Sequence, residues 1–580
     1  MSEVPVVVPV DPGAGPAPSS RWSWPTLVGL LLIVGGSVWA QYEPNTFLHG
    51  DGNFYATMNR SLADGTLVQN DYQPLSWYYQ DLGWNRYMDA GWSNVSLGVD
   101  GKTLYPKHPF LLPIFAMPLF WLWGYFGLLV VNAGLVAVTL WLAFRVASRY
   151  SAPLPAAIVA GMFAALPLFT EGAYSYSNDV FYAALLLAGV DRFLAGKMIW
   201  SGLLFGLAVW AKVTNALFVL PFGLWLLSTR RWRDVLRFVV AASLPIVAYA
   251  IVNTIWFGAP QTTAYHRIVI RENGQPVVYS IAGKFGRPLL VGLRSLWDEP
   301  FEGLDRSFAT GAAMLIGLPL LALKSWRQAL SIVVSTALFA VAFAKFDYTY
   351  HRFFTPWAAW LVVPGAVLLD SLGQVAALAV EFGATVAPRL GRWRSPVVAA
   401  VVAVAVAVVA AAAQWSRRDA AIWRATTAIE TAKVERLEPG RTLHCDYYQP
   451  RNQKWECATT ETDPWVRWGL SLADQCRFPG EKRQFLWMHP NPNIGKRMSF
   501  ANVPPGDVVI RFGVTPKSHH TGVQLKVLSG DKVVQTLATG ERGKLADVVI
   551  PANQRGSVIG LEVPPQAYDW RQLCAEIYVR

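Results

Sequence analysis

The chain has 580 residues, of which 53% are hydrophobic and 15% charged, and its formal net charge is +12 at pH 7. Soluble globular chains carry about 25% charged residues, so the composition excludes an array of soluble domains. The basic residues cluster in short segments between apolar runs, as in loops held on the cytoplasmic side of a membrane, and this distribution argues against nucleic acid as a partner.

Long runs without Asp, Glu, Lys or Arg, such as 22–42, 109–144 and 238–265, indicate a polytopic α-helical membrane protein. Residues 1–21 are rich in Pro, Val, Ala and Gly and are predicted to form a disordered cytoplasmic tail. The membrane domain is predicted to cover 22–416, with the N-terminus cytoplasmic and the C-terminus extracytoplasmic, in a bacterial inner or plasma membrane. We predict about 11 transmembrane helices, at 22–41, 125–146, 152–169, 180–194, 199–211, 213–228, 236–257, 309–323, 328–345, 354–371 and 396–415.

Two apolar runs need a separate interpretation. The run 199–228 is interrupted by "AKVTN", so we divide it into two helices that meet at Lys212 on the outer side. The run 109–144 is too long for one span, and its Pro-rich first part is predicted to be a pair of interfacial helices on the outer leaflet.

Residues 417–580 differ from the rest of the chain. Segments such as "GDVVIRFGV" and "GVQLKVLSGDKVVQTLAT" alternate apolar and polar residues between turns, which predicts a β-sandwich, joined to the membrane domain by a helix at 417–437. Its role is predicted to be binding of glycan or acceptor, or stabilisation. All four cysteines lie here, and an even number in one soluble domain favours disulfides in an oxidising compartment, with free cytoplasmic thiols as the alternative. The cysteines are Cys445, Cys457, Cys476 and Cys574.

Two aspartates are the candidates for chemistry. Asp51 lies in the first outer loop, 42–108, at the start of a predicted short helix that ends at Gly65, and Asp179 begins a charge-free helix after the second outer loop. A pair of carboxylates at the boundary between water and lipid suits a general base with an orienting group or a metal ligand. The alternatives are a solvated loop residue for Asp51 and a helix N-cap for Asp179.

Basic residues at the same level suit a phosphate group. Lys212 stands at the predicted helix junction, His351 and Arg352 at the outer mouth of a span, and Arg267 in a further outer loop. A guanidinium can donate two hydrogen bonds to one phosphate, and a charge near the membrane is costly unless it is used. Interfacial snorkelling is the alternative for each residue.

Five stretches in order carry a resemblance to a known family. They are "MNRSLADG" after the first-loop acid, "LYPKHPFLLPIFAMPLFWLWG", "YSNDVFYAALLLAGV", "GLLFGLAVWAKVTNALFVLP" and "YHRFFTPWAAWLVVPGA". Over residues 22–370 the chain resembles the GT-C superfamily of polytopic glycosyltransferases, in particular the branch of protein O-mannosyltransferases and aminoarabinose transferases.

The resemblance implies inverting transfer of a sugar from a polyprenyl-phosphate-linked donor to an acceptor hydroxyl on the extracytoplasmic face. Asp51 matches the first-loop acid that activates the acceptor, and Asp179 the second-loop acid that assists it. The resemblance also implies a set of phosphate ligands, to which we add Arg267 from its outer-loop position: Lys107, His108, Lys212, Arg352 and Arg267.

Three points stay open at the level of sequence. Aminoarabinose transferases have a metal-binding glutamate before the matching lysine, whereas this chain has Pro106, so no metal ligand is assigned and one divalent ion is the only candidate cofactor. The acceptor is a glycan, a lipid or a protein, and the alternative functions are a transporter of lipid-linked sugar and a non-catalytic glycan-binding membrane protein. Aromatic faces suit sugar rings but also gather at membrane interfaces, and the secondary candidates for substrate contact are Tyr55, Trp77, Tyr105, Glu171, Tyr348 and His351.

Overall fold

The computed structural model describes residues 20–40, 51–70, 95–164, 166, 169, 176–272, 275–281, 285–296, 308–346, 351–386, 423–426, 428–445, 447–449, 454–457, 468–472, 476, 478, 485–488, 494–515, 522–566 and 573–579. These residues fall into two compact units, which are divided in the sequence between Ser416 and Arg417.

The first unit is mainly helical. For each of the ten predicted spans from 22–41 to 354–371, a helix begins within four residues of the predicted first residue. The span predicted at 396–415 lies outside the described residues. The helices are α1 (Ser20–Ala40), α2 (Asp51–Ala63), α3 (Leu111–Trp123), α4 (Tyr125–Ala147), α5 (Pro153–Ala164), α6 (Asn178–Leu194), α7 (Met198–Ala211), α8 (Ala216–Ser228), α9 (Trp232–Phe257), α10 (Leu289–Leu296), α11 (Phe308–Lys324), α12 (Trp326–Ala344) and α13 (Thr355–Val386).

Several of these helices have the length and composition of membrane spans. Within the described part of the chain, α4, α9, α12 and the segment Thr355–Ala376 of α13 are long and apolar enough to cross a bilayer, and α3, α5 and α7 are among the shorter apolar helices. The predicted polytopic helical membrane protein is thereby confirmed, while the count of eleven spans stays a prediction.

The Pro-rich segment before α4 differs from its prediction. It forms one helix, α3, which continues through Pro118, instead of a pair of helices. A proline removes one backbone donor, and the helix tolerates this loss here without ending. Its placement on the outer leaflet stays a prediction.

Close packing of α7 on α9 depends on two glycines one turn apart. A Cβ at Gly202 would lie 2.2 Å from the carbonyl oxygen of Phe238, and one at Gly206 would lie 2.3 Å from that of Ala242. Small residues at this spacing let two helix backbones approach closely. The contact fixes the direction of α7, whose C-terminal end carries Lys212.

A small antiparallel sheet also belongs to the first unit. Its strands are β1 (Val95–Leu97), β2 (Leu104–Pro106), β3 (Ile268–Glu272) and β4 (Gln275–Tyr279), in the order β2-β1-β3-β4. The turn between β1 and β2 is closed by Asp100, which accepts hydrogen bonds from the backbone of Lys102 and Thr103 and from the Thr103 hydroxyl. These bonds lower the pKa of Asp100 to about 2. Since β2 ends at Pro106, the sheet positions Lys107.

The second unit is a β-sandwich, as predicted. Its strands are β5 (Lys433–Glu438), β6 (Arg441–His444), β7 (Tyr447–Gln449), β8 (Lys454–Glu456), β9 (Trp468–Leu472), β10 (Leu486–Met488), β11 (Gly495–Phe500), β12 (Val508–Val514), β13 (Gln524–Ser529), β14 (Lys532–Ala538), β15 (Ala546–Ile550), β16 (Ile559–Val563) and β17 (Leu573–Val579). They form two sheets with the orders β15-β12-β17-β10-β9-β8-β7 and β14-β13-β16-β11-β5-β6.

The core of the sandwich follows from strand alternation. Met498 pairs with Leu561 and Leu561 with Val527, so these three side chains share the inner face and are fully buried with Ile510 and Ile577 of the other sheet. The helix predicted at 417–437 is wrong in the described residues from 423 onward. They contain a short 3-10 turn at Ile429–Thr431, and Lys433–Glu438 pairs with β11 and β6 as β5.

The four cysteines form two disulfides in the second unit, as predicted, and the structure shows their pairing. Cys445 is bonded to Cys457 and Cys476 to Cys574, with sequence separations of 12 and 98 residues. A disulfide that closes a longer loop removes more entropy from the unfolded chain. The Cys476–Cys574 bond should therefore stabilise this unit more.

Replacing Cys476 and Cys574 together with alanine is expected to lower the free energy of unfolding by about 2 kcal/mol more than the same replacement of Cys445 and Cys457. Denaturant unfolding of the full chain in detergent, followed by tryptophan fluorescence, measures both losses. Equal losses for the two double variants would contradict the loop-length argument.

Candidate functional site

Asp51 is the first residue of helix α2. A carboxylate in the first turn of a helix is stabilised by the helix dipole. Phe54, Tyr55 and Met58 are buried. The helix ends before Gly65, whose φ of +80° is readily adopted only by glycine, in agreement with the predicted stop.

Helix α2 is held in place by the side chain of Asn59. Its amide nitrogen donates a hydrogen bond of 2.9 Å to the carbonyl oxygen of Pro113 in α3, and its amide oxygen accepts one of 2.9 Å from the Tyr176 hydroxyl. All three residues are buried, and a satisfied buried amide fixes both of its partners. The position of Asp51 is therefore tied to α3 and to the segment before α6.

Lys107 and His108 lie against the same helix. The Lys107 ammonium is 5.9 Å from the centre of the Phe54 ring, and the His108 ring stacks on Phe54 with 5.7 Å between ring centres. His108 Nδ1 is 3.1 Å from the Tyr265 hydroxyl. We call Asp51, Lys107 and His108 the Asp51–Lys107 group.

Burial and charge act in opposite directions on Lys107. Burial lowers the pKa of its ammonium, the Asp51 carboxylate raises it, and the effect of burial is the larger. A further negative charge bound here would favour the protonated lysine. The pair is thus suited to receiving an anionic ligand.

Asp179 is buried at the second position of α6, and the N-cap is Ser177, so Asp179 is not the helix cap. Its Oδ1 accepts a hydrogen bond of 2.6 Å from the Tyr182 hydroxyl and lies 3.5 Å from Lys212 Nζ. Lys212 Nζ also donates to the Tyr182 hydroxyl at 3.1 Å. We call Asp179, Tyr182 and Lys212 the Asp179–Lys212 group.

Lys212 occupies the predicted break between two helices. Its backbone is extended, with φ of −158° and ψ of 117°, and it separates α7 from the turn that starts α8. The Asn178 side chain donates to the carbonyl oxygen of Ala211 at 2.5 Å, which holds the end of α7 against the start of α6. The face of the Phe353 ring covers the ammonium at 4.1 Å.

The two groups are linked through Tyr176. This residue lies three positions before Asp179, its hydroxyl is bonded to Asn59 of α2, and its ring contacts Tyr55 edge-on with 6.2 Å between centres. Helix α2, which begins with Asp51, therefore contacts the segment that leads into α6, two residues before that helix begins.

The other predicted residues lie in three places. Arg267 directly precedes β3 and donates to the carbonyl oxygens of Leu97 at 2.7 Å and Gly98 at 3.0 Å. Tyr105 lies in β2 and stacks on Trp256 of α9 with 4.4 Å between ring centres. The backbone of His351 and Arg352 forms the turn His351–Phe354 before α13. Trp77, Glu171 and Tyr348 lie outside the described residues.

Sequence reasoning missed Tyr182, Asn59 and Tyr176. Tyr182 follows Asp179 by three positions on one helix, a spacing that brings side chains together and could have identified it. Asn59 and Tyr176 are 117 positions apart, and no local pattern relates them.

The donor set for a metal ion is incomplete in the part of the chain that the structure describes. These residues contain no group of three His, Cys, Asp or Glu side chains that could hold a metal ion. Each aspartate instead lies near a lysine ammonium. We therefore derive no step of the reaction through a metal.

A family model matches the part of the chain that contains most of these residues. Residues 104–305 match the family model of glycosyltransferase family 87. The match contains Lys107, His108, Asp179 and Lys212, whereas Asp51 precedes it. It confirms the resemblance to membrane glycosyltransferases and supports a membrane glycosyltransferase as the function. No curated protein matches the chain significantly.

Several solved structures are similar to the chain at low identity, among them the following three. The ArnT structure from Cupriavidus metallidurans in the apo state is 16% identical over 63% of this chain and 66% of its own, with a TM-score of 0.37. The same protein bound to undecaprenyl phosphate is 15% identical over 69% and 73%, with a TM-score of 0.38. The arabinosyltransferase EmbB from Mycobacterium smegmatis is 12% identical over 97% and 64%, with a TM-score of 0.32. TM-scores this low do not support a conclusion about function.

Proposed function

We propose that the chain transfers a sugar from a polyprenyl-phosphate-linked donor to an acceptor hydroxyl, with inversion at the anomeric carbon. Asp51 is the general base, Asp179 assists it, and Lys107 and Lys212 bind the donor phosphate. The acceptor is a glycan, a lipid or a protein side chain. The observation that carries the proposal is that each aspartate lies near a lysine within one apolar helical unit, in which Tyr176 joins α2 to the segment before α6.

The chemistry of such a transfer fits these residues. The acceptor oxygen attacks the anomeric carbon while the bond from that carbon to the phosphate oxygen breaks. The acceptor proton passes to the Asp51 carboxylate, since a hydroxyl is a weak nucleophile without a base. The phosphodiester leaves as a phosphomonoester with one more negative charge, and the two lysine ammonium groups neutralise it in place of a general acid.

The disulfides support the proposed orientation. Structural disulfides persist in oxidising compartments, which is the environment outside the bacterial inner membrane. We therefore propose an extracytoplasmic second unit, a cytoplasmic N-terminus and transfer on the extracytoplasmic face.

Reconstituted protein with two classes of radiolabelled donor tests the proposal. Sugars linked to polyprenyl phosphate should be transferred to an acceptor, sugars linked to a nucleotide should not, and the new glycosidic bond should have the opposite anomeric configuration by NMR. Transfer from nucleotide sugars, or retention of configuration, would overturn the proposed donor class or mechanism.

The lowered pKa of Lys107 predicts how donor binding depends on pH. As the pH rises through this lowered pKa, the ammonium loses its proton and the donor phosphate loses a counter-charge. KM for the donor should therefore begin to rise at a pH below 10.5, the usual pKa of a lysine. Arginine stays charged, so Lys107→Arg should keep a low donor KM at higher pH. Donor KM measured from neutral pH to about pH 10 tests this, with exposed Lys102→Arg as the control. Superimposable profiles for Lys107→Arg and wild type would contradict it.

A transporter of lipid-linked sugar is the second candidate. The observation that favours it is the interruption of an apolar stretch at Lys212, since transporters place polar groups at broken helices. Vesicles loaded with donor distinguish the two functions: a transporter moves the donor across the membrane intact, whereas a transferase releases polyprenyl phosphate.

A further inference from the structure

The Tyr182 hydroxyl lies between the two charged groups of the Asp179–Lys212 group. It donates to Asp179 Oδ1 at 2.6 Å and accepts from Lys212 Nζ at 3.1 Å. A tyrosine hydroxyl has one proton and two lone pairs, so it makes both bonds at once. The direct distance from Lys212 Nζ to Asp179 Oδ1 is 3.5 Å.

Of these two partners, the Tyr182 hydroxyl is nearer to the Lys212 ammonium than Asp179 is. At 3.1 Å the hydroxyl is within the ordinary range for a hydrogen bond, whereas 3.5 Å to the carboxylate is at its outer limit. The ring of Tyr182 also lies 5.0 Å from the ammonium, and Phe353 covers it at 4.1 Å. The hydroxyl is therefore a nearer partner of Lys212 than Asp179 is, and the ion pair between Lys212 and Asp179 is a long one.

From this geometry we infer that Tyr182 is a positioning residue, which keeps the Lys212 ammonium where the donor phosphate can reach it; the inference rests on the proposed function. Lysine carries its charge on a flexible four-carbon chain, so its position depends on its partners. Without the hydroxyl, the ammonium moves closer to Asp179 and the ion pair between them becomes shorter and stronger. Lys212 is then drawn away from the leaving phosphate, whose charge increases as the bond to the sugar breaks.

Tyr182→Phe tests the hydroxyl alone, because phenylalanine keeps the ring. Loss of a hydrogen bond to a charged group is expected to reduce kcat/KM for the donor by about ten- to a hundred-fold. The matched control is Tyr249→Phe, which removes a hydroxyl bonded to Asn253 in α9, outside both groups. The control should transfer sugar as the wild type does, and thermal unfolding should show that both variants are folded.

A double-mutant cycle with Lys212→Gln separates positioning from a structural role. If Tyr182 acts through Lys212, adding Tyr182→Phe to Lys212→Gln should lower kcat/KM much less than it does in the wild type. A reduction by the same factor in both backgrounds would overturn the inference, as would a Tyr182→Phe variant equal to the Tyr249→Phe control. A wild-type protein that transfers no sugar from a polyprenyl-phosphate donor would overturn the proposed function itself, and the inference with it.

Discussion

Asp51→Asn is expected to reduce sugar transfer by about a thousand-fold, because asparagine cannot accept the proton of the acceptor hydroxyl. Asparagine has the same size and retains an acceptor oxygen, so helix α2, which is anchored by Asn59, should keep its position. The loss is expected in kcat, with a smaller change in KM for the donor, since Asp51 acts on the acceptor. Initial rates in reconstituted vesicles at saturating donor measure it.

Asp64→Asn is the matched control for this experiment. Asp64 follows the other end of the same helix, its side chain is 44% exposed, and its ion pair with Arg60 at 3.5 Å is exposed as well. Pairs of this kind contribute up to about 1 kcal/mol to stability, so the control should transfer sugar at close to the wild-type rate. Full activity of Asp51→Asn would exclude Asp51 as the base, and another residue would then have to accept the proton.

Much of the helical unit could be predicted because its signals are local. Charge-free runs located the helices, the "AKVTN" interruption located the break at Lys212, and Gly65 located the end of α2. In residues 417–580, the alternation of apolar and polar residues located the strands from β12 onward. The even number of cysteines indicated disulfides but not their pairing. Each of these features follows from the periodicity or the conformational limits of residues that are close in sequence.

The arrangement of the site could not be predicted in the same way. Asp179 and Lys212 are 33 positions apart, and their contact depends on how α7 packs beside α6. Arg267 had the chemistry of a phosphate ligand, yet its guanidinium donates to two backbone carbonyls at the end of β1. Tertiary packing decides which partner a charged side chain contacts, and this packing cannot be read from a single sequence.

A second large effect is expected far from the proposed reaction, at Asp191 near the C-terminal end of α6. This carboxylate is fully buried and bound by three arginines from two helices and a turn. Arg149 Nη2 lies 2.7 Å from Oδ1, Arg145 Nη2 lies 3.2 Å from Oδ2, and Arg192 is the third partner. The carboxylate joins the end of α4 to the end of α6 and compensates guanidinium charge that is itself partly buried.

Asp191→Asn should therefore destabilise the helical unit by about 3–5 kcal/mol, because it leaves buried guanidinium groups without a counter-charge. Thermal unfolding in detergent measures the loss. Arg192→Gln is the control: it removes the most exposed of the three arginines, 32% exposed, and should cost at most about 1 kcal/mol.

Since Asp191 lies about 18 Å along the helix from Asp179, the Asp191→Asn molecules that remain folded should keep the wild-type kcat. A fall in kcat without a fall in unfolding temperature would mean that Asp191 and its arginines take part in the reaction. The C-terminal end of α6 would then not have the purely structural role that we expect of it.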